Sequence, residues 1–331
     1  MNRRARGLLL GCVVVASAGL FGSDAAVAQK RPAAFLPIAE DPATSRHRDL
    51  EDLFAEDAIE KGLVLSEARL KTAPHDAELY VHVFRFRFAL GEKLGNKKLW
   101  GKGGRFGKRF KDKEAYYADL VRLSERGLEL QPGHPRLLWG LGIAKGRLAT
   151  SRGVVASLRT AKDVEQAWLS VVASDYRYSS LNGVEVIPCD TMVALGMFYR
   201  LVPDWWIVKL IAGTRGDIDK SVAWLQRANT CRPNGIGTLK ELGVAYLCKA
   251  DRDDDVSAMQ EGRKHLKAAL ALTPVWEIQR IDQADAKRLL KDPSEACGYS
   301  RDGQQRYDEG QLEKPGDATR PEVRSPRSEA R

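Results

Sequence analysis

The side chains that could do chemistry are scattered. Five histidines, His47, His75, His82, His134 and His265, show no His-Glu-x-x-His spacing, the arrangement that sets two imidazoles on one helix face for zinc. No Gly-x-Ser-x-Gly turn presents a nucleophile. The carboxylates are spread along the chain, as solvated helix faces carry them. Asp251, Asp253, Asp254 and Asp255 could attract a cation, but they lack the glycine and closing glutamate of a calcium loop and read as a solvated helix start. These patterns predict no catalytic residue, no metal and no cofactor, and point away from an enzyme.

The cysteines carry a stronger signal. Cys12 lies in a segment expected to be removed, which leaves Cys189, Cys231, Cys248 and Cys297. Their spacings match neither a zinc knuckle nor a redox Cys-x-x-Cys pair, and an even number in an exported chain indicates disulfides, with buried thiols as the alternative. Helix topology narrows the three formal pairings. Cys189 stands just before a helix expected from Thr191, and Cys231 ends a helix expected from Asp217; antiparallel packing puts them on one rim. Cys248 near the end of the next helix and Cys297 beyond the last fall on the opposite rim. The expected bridges are Cys189–Cys231 and Cys248–Cys297.

Aromatic residues supply the remaining candidates. Trp205 and Trp206 open an almost wholly apolar helix; with Tyr199 they could line a pocket for an apolar or amphipathic ligand, or they could sit against a membrane surface, and because adjacent tryptophans point apart at least one is expected to be less buried. The competing reading is a helix apolar all round and buried between its neighbours. Tyr176 and Tyr178 lie in an irregular stretch, either on a concave face or in a loop packed on it. Seven basic residues from Lys97 to Lys111 sit among glycines. They could draw an acidic partner, but they lack the spacing of a phosphate-binding loop and read as a solvated connector.

The N-terminus has the pattern of an export signal. Arg3, Arg4 and Arg6 precede an apolar run from Leu8 to Phe21, and Ala26-Val27-Ala28 predicts cleavage before Gln29. Lipidation at Cys12 and retention of the segment as a spanning anchor are the alternatives, but too few apolar residues precede Cys12 for a normal export core. No later stretch is long and apolar enough to span a bilayer. The expected product is a soluble periplasmic chain. Export lowers the chance of a nucleic-acid partner, although the net charge is +9 over 331 residues.

Everything between is helical in period. Leu-Gly pairs recur at Leu141-Gly142, Leu195-Gly196 and Leu242-Gly243, the last two followed by Tyr199 and Tyr246 at one offset. Small residues precede proline-terminated turns at Gly127…Pro132, Ala228…Pro233 and Ala269…Pro274. Small residues let helices approach, leucine and tyrosine fill the space beside them, and proline stops the backbone ladder. One helical stretch is expected from Asp49 to the Ala73-Pro74 break, others from near Asp76, through Tyr116–Leu128, from Pro135, at 161–173, 191–201, from Trp205, at 217–231, 236–249, 256–272 and 277–290. No strand pattern is evident. The expected organisation is a signal at 1–28, a flexible arm at 29–47, a helical domain at 48–298 and a disordered tail at 299–331.

These residues resemble a divergent tetratricopeptide array, most clearly from about Gly153 to Pro274. The resemblance implies an all-α fold of stacked antiparallel helix pairs forming a superhelix. The arrangement around Val202-Pro203-Asp204-Trp205-Trp206, with an extra apolar helix before Gly213, is similar to the T component of TRAP transporters and to the regulator of microtubule dynamics family. Ser221 and Gly262 stand where the repeat usually has alanine. The first relative implies an exported protein assisting a substrate-binding partner, and export fits poorly with the second. The leading expectation is an exported adaptor binding a protein partner on its concave surface. The runner-up is a transport-accessory carrier of a small ligand near Trp205, Trp206 and Tyr199, and the third is an uncharacterised hydrolase.

Overall fold

The computed structural model describes residues 39–94 and 112–305. The signal, most of the arm, the core of the basic loop and the tail from 306 lie outside the described residues. Alternating apolar and polar positions with a 3.6-residue period produce twelve α-helices among those described: α1 (Arg48–Ala55), α2 (Ile59–Thr72), α3 (Ala77–Leu94), α4 (Lys113–Leu130), α5 (Pro135–Arg152), α6 (Ala161–Ala173), α7 (Cys189–Leu201), α8 (Trp206–Ala212), α9 (Ile218–Cys231), α10 (Ile236–Asp253), α11 (Val256–Ala271) and α12 (Glu277–Lys291). Local chemistry fixes their ends. Asp112, Asp217 and Asp255 accept backbone N–H groups of the first turns of α4, α9 and α11, satisfying donors that no helix can satisfy internally. Pro132, Pro233 and Pro274 follow the ends of α4, α9 and α11.

Neighbours in sequence are neighbours in space, as in a stacked array: α2 packs on α3, α4 on α5, α7 on α9 and α10 on α11. The Leu-Gly points set these contacts. A Cβ on Gly196 would stand 2.4 Å from Leu225 Cγ, and one on Gly142 would stand 2.2 Å from Trp168 Nε1. Leu195, Leu242, Ala228 and Ala269 are fully buried beside them, and Tyr246 stacks on His265. The fold is a tetratricopeptide-like array of antiparallel helix pairs.

Four expectations need correction. The stretch from Asp49 to Ala73 is two helices, because Asp57 takes a left-handed φ of 58° that ends α1. Three short strands occur: β1 (Ala39–Glu40) pairs in parallel with β2 (Arg177–Ser179), which pairs antiparallel with β3 (Val186–Ile187). They are too short for a sequence pattern to show. That pairing also places part of the expected arm in the fold. At the other end the packed chain runs past 298: Tyr299 and Ser300 are buried, and Arg301 and Asp302 bond to other parts of the array. Isolated polarity in 299–305 disguised a segment whose charges are paired.

The array does not end in an open spiral. Trp276, before α12, sits in the same apolar cluster as Leu50, Phe54 and Leu63 of the first helices, with its ring centroid 5.0 Å from that of Phe54. α12 also packs on α3. The last pair therefore returns to the first.

The cysteines meet in the pairs that antiparallel packing requires, with sulfurs 1.97 Å apart in Cys189–Cys231 and 2.08 Å apart in Cys248–Cys297. They span 42 and 49 residues, and closing loops of that length restricts the unfolded chain by about 4 kcal/mol each on the chain-entropy account. Each bridge ties a helix end to a neighbouring element on one rim. The close approach at Gly196 gives a direct test of the packing. Gly196→Ala should lower stability in urea unfolding by about 2 kcal/mol through overpacking against Leu225, and an unchanged midpoint would contradict that contact.

Candidate functional site

The return of the last helices to the first leaves a central cleft of about 350 Å³. Its walls come from α1, α3, α5, α6, α7, α10 and α12, together with Ser300 and Arg301. Most of the lining is apolar, with Phe88, Trp139, Ile143, Met197 and Phe198 among its residues. These side chains face inward because the helices bearing them turn their buried stripes towards the axis of the array.

Charged residues occupy the rest of the lining. Arg85 is fully enclosed on α3, with Phe54 stacked against its guanidinium at 3.6 Å. Its Nη1 donates to Glu51 at 2.6 Å and its Nε to Glu185 at 3.1 Å. Tyr178 also donates to Glu51, at 2.8 Å, and lies 3.8 Å from Arg136. Burial works to raise the Glu51 carboxyl, but Arg85, Arg136 and His82 outweigh it and keep it at about 2. Among the lining groups, Arg85 Nη2, Trp139 Nε1, Arg232 Nε and Thr238 Oγ1 are buried without a hydrogen-bond partner in the protein.

A second charge network closes the cleft. Arg301 donates to Glu92 of α3 at 2.7 Å and to Asp282 of α12 at 2.5 Å. Lys240 of α10 pairs with Asp282 at 2.9 Å and with Glu241 at 2.5 Å, and Glu241 reaches Arg200 of α7 at 3.1 Å. Arg200 also donates to the carbonyls of Ala296 and Tyr299, both at 2.9 Å. Asp302 extends the network to Lys113 at the start of α4, at 2.7 Å. Opposite charges alternate along the chain of contacts, so each buried ion has a partner on either side.

The residues singled out from sequence do not converge on this cleft. Tyr199 is buried and donates to Glu165 at 2.5 Å, with Lys220 over its ring. Tyr176 and Tyr178 belong to the central core, Tyr176 just before β2 and Tyr178 within it. Trp205 packs against that core from the segment before α8. Trp206 is 72% exposed and Leu210 75%, with Ile211 half open beside them. The expectation of a helix buried on all sides is therefore corrected: only Val208 and Ala212 of α8 are buried. A seven-residue helix at the outside of the array has one neighbour face, and among the described residues nothing covers the rest of its apolar surface.

What sequence reading passed over was Arg85 inside an apolar stretch and the Lys240-Glu241 pair on the buried first half of α10. Charges on the buried stripe of a helix were the available signal, because such positions are costly unless paired.

No known protein family model matches the chain, and no curated protein is detectably similar. Among solved structures, the human IFIT1 dimer with PPP-AAAA aligns at 15% identity over 72% of this chain and 45% of that one, with a TM-score of 0.43. The crystal structure of MamA protein aligns at 15% identity over 70% of this chain and 96% of that one, with a TM-score of 0.37. This chain thus spans less than half of the IFIT1 chain. The fold assignment rests on the helix-pair packing itself. Fold and cleft define the class: a tetratricopeptide-like helical scaffold whose ends meet around an internal cleft.

The network has a pH signature. Burial works to raise the Asp282 carboxyl, but Arg301 and Lys240 outweigh it and hold it at about 2, below the ordinary 3.8. A value lower in the folded than in the unfolded chain contributes stability that is complete above about pH 4 and is lost as pH falls towards 2. Urea melts followed by circular dichroism should show that loss on acidification. Asp282→Asn should reduce the acid dependence and cost about 3 kcal/mol at neutral pH by leaving Lys240 and Arg301 underpaired. An unaltered acid profile would contradict this.

Proposed function

We propose that this chain is an exported, periplasmic carrier that holds a small amphipathic ligand in the central cleft. The observation that carries this reading is the set of unpaired polar atoms, Arg85 Nη2, Trp139 Nε1, Arg232 Nε and Thr238 Oγ1, beside the apolar part of the lining. An unmet buried donor costs about 1–3 kcal/mol, and a ligand oxygen reaching it would offset that cost. The volume lies at the small end of the range for ligand sites. An apolar body with a carboxylate at one end suits both features. Export is supported by the leader pattern and by two cysteine bridges, which persist in an oxidising compartment. The resemblance to the T component of TRAP transporters supports a transport-accessory role. The ligand position differs from the one expected near Trp205, Trp206 and Tyr199, because none of the three lines this cleft.

Calorimetric titration of the full chain with decanoate and with decan-1-ol tests the proposal. Decanoate should bind one to one and about tenfold or more tighter than the alcohol, the difference expected from a charge-assisted hydrogen bond. Ile143→Trp and Met197→Trp, which put bulk into the cleft from half-buried positions, should each abolish binding while helix content persists. Absence of saturable binding, or binding indifferent to both substitutions, would overturn the reading.

A protein partner is the second reading, and the open apolar face of α8 favours it. In this form the partner docks outside the array instead of on the concave side, where the cleft is bounded by the returning helices. Affinity capture from periplasm should recover one stoichiometric protein, lost with Leu210→Asp while decanoate binding is kept. Equal recovery with the variant would remove α8 from consideration.

A further inference from the structure

Away from the cleft, on the opposite side of Glu51, His47, Asp76 and Glu78 bring their donor atoms together, and His82 stands beside Glu78. His47 stands before α1, Asp76 caps the start of α3, and Glu78 and His82 lie one turn apart on α3. His47 Nε2 is 3.0 Å from Asp76 Oδ2. Donor atoms of His47, Asp76 and Glu78 all fall within 4.8 Å of one another. His82 Nε2 lies 3.8 Å from Glu78 Oε1, and the two imidazole rings meet edge to face at 5.6 Å.

His82 is the informative member. It is completely buried, yet neither ring nitrogen has a hydrogen-bond partner. A fully enclosed imidazole left in this condition costs free energy unless something else takes its lone pair. The carboxylates are already oriented. Ser45 Oγ donates to Glu78 Oε1 at 2.7 Å, and the exposed Arg46 bonds Asp76 Oδ1 and Glu78 Oε2, the oxygens turned away from the histidines. Such outer contacts are how metal ligands are normally steered.

We propose that His47, Asp76, Glu78 and His82 form a site for one divalent transition metal of the zinc class, pinning the entry to α1 against the start of α3. Two imidazoles and two carboxylates match the nitrogen and oxygen donors that zinc accepts. Donors around a tetrahedral zinc stand about 3.3 Å apart, so His47, Asp76 and Glu78, whose donors fall within 4.8 Å of one another, need to draw in by up to about 1.5 Å and His82 has to turn further in. His47 and Asp76 are only lightly exposed and Arg46 is open to solvent, so the metal's path lies past the Arg46 side chain. The sequence reading gave these histidines no metal role because they are 35 residues apart and follow no motif; the fold brings them together.

The test uses the untagged full chain stripped with a chelator and titrated with zinc chloride against a chromophoric competitor. One equivalent should bind tightly, and the thermal midpoint should rise by several degrees, since a ligand that binds only the folded state stabilises it. Cobalt should give the visible absorption of a four-coordinate nitrogen and oxygen site. His47→Ala and Glu78→Gln should each weaken zinc binding by roughly a hundredfold or more with helix content intact, whereas His75→Ala, at an exposed neighbouring position, should leave it unchanged. Because His82→Ala removes a core residue, the argument is settled by the other two variants. Failure of the native chain to take up one equivalent, or equal uptake by His47→Ala, would overturn the proposal. Neither result bears on decanoate binding.

Discussion

The alternating chain of charges from Glu92 through Arg301, Asp282, Lys240 and Glu241 to Arg200 is the interaction on which the rest of this structure depends. It joins α3 to α12, α10 and α7, elements from both ends of the sequence. Helix pairs in a solenoid touch only their neighbours, so nothing in local stacking makes the last pair return to the first. An apolar contact such as Trp276 against Phe54 supplies area but tolerates sliding. Ions taken out of water are costly unless each finds its partner, so the network is satisfied at one relative placement of the ends and penalised at others. Curvature becomes fixed, and with it the volume of the cleft.

The same physics explains why the cleft combines apolar walls with unpaired polar atoms. Each helix turns its buried stripe inward, and once the ring closes these stripes face one another across a space that their side chains do not fill. Arg85 is held by Glu51 and Glu185 on one side, leaving Nη2 without a partner. Glu51 links this region to the His82 cluster, since its Oε1 lies 3.9 Å from His82 Nε2 while its Oε2 accepts from Arg85. The N-terminal helices thus carry two polar sites back to back, one opening to the cleft and one to the surface near Arg46.

The two cysteine bridges act at a different level. Each restrains a helix end on one rim, Cys189–Cys231 joining α7 to α9 and Cys248–Cys297 joining α10 to the segment after α12. The second bridge immediately precedes Tyr299 and Arg301. It therefore holds the start of the segment that closes the ring, so covalent and ionic restraints converge on the same few residues. α8 lies outside this arrangement, and its open face with Trp206 and Leu210 is a surface feature of a scaffold otherwise organised around its interior.

Features that depend on neighbours along the chain are legible in the order of residues. Aspartate caps at 217 and 255, proline stops at 233 and 274, the 3.6-residue period and the Leu-Gly close-approach points specify helices and their pairing, because those interactions reach only a few residues or the adjacent helix. The cysteine pairs were also legible, since antiparallel packing alone decides which helix ends share a rim. Tertiary structure alone decided that Trp206 stays open while Tyr178 is buried, that residues 299–305 are packed, and that Arg85, Lys240 and Asp282 are interior ions. It alone brought His47 to His82. The packing of residues 299–305 and the interior pairing of Lys240 and Asp282 depend on the return of the last pair to the first, a contact between residues some two hundred positions apart, and no periodicity within a helix encodes which distant charge will lie across the gap.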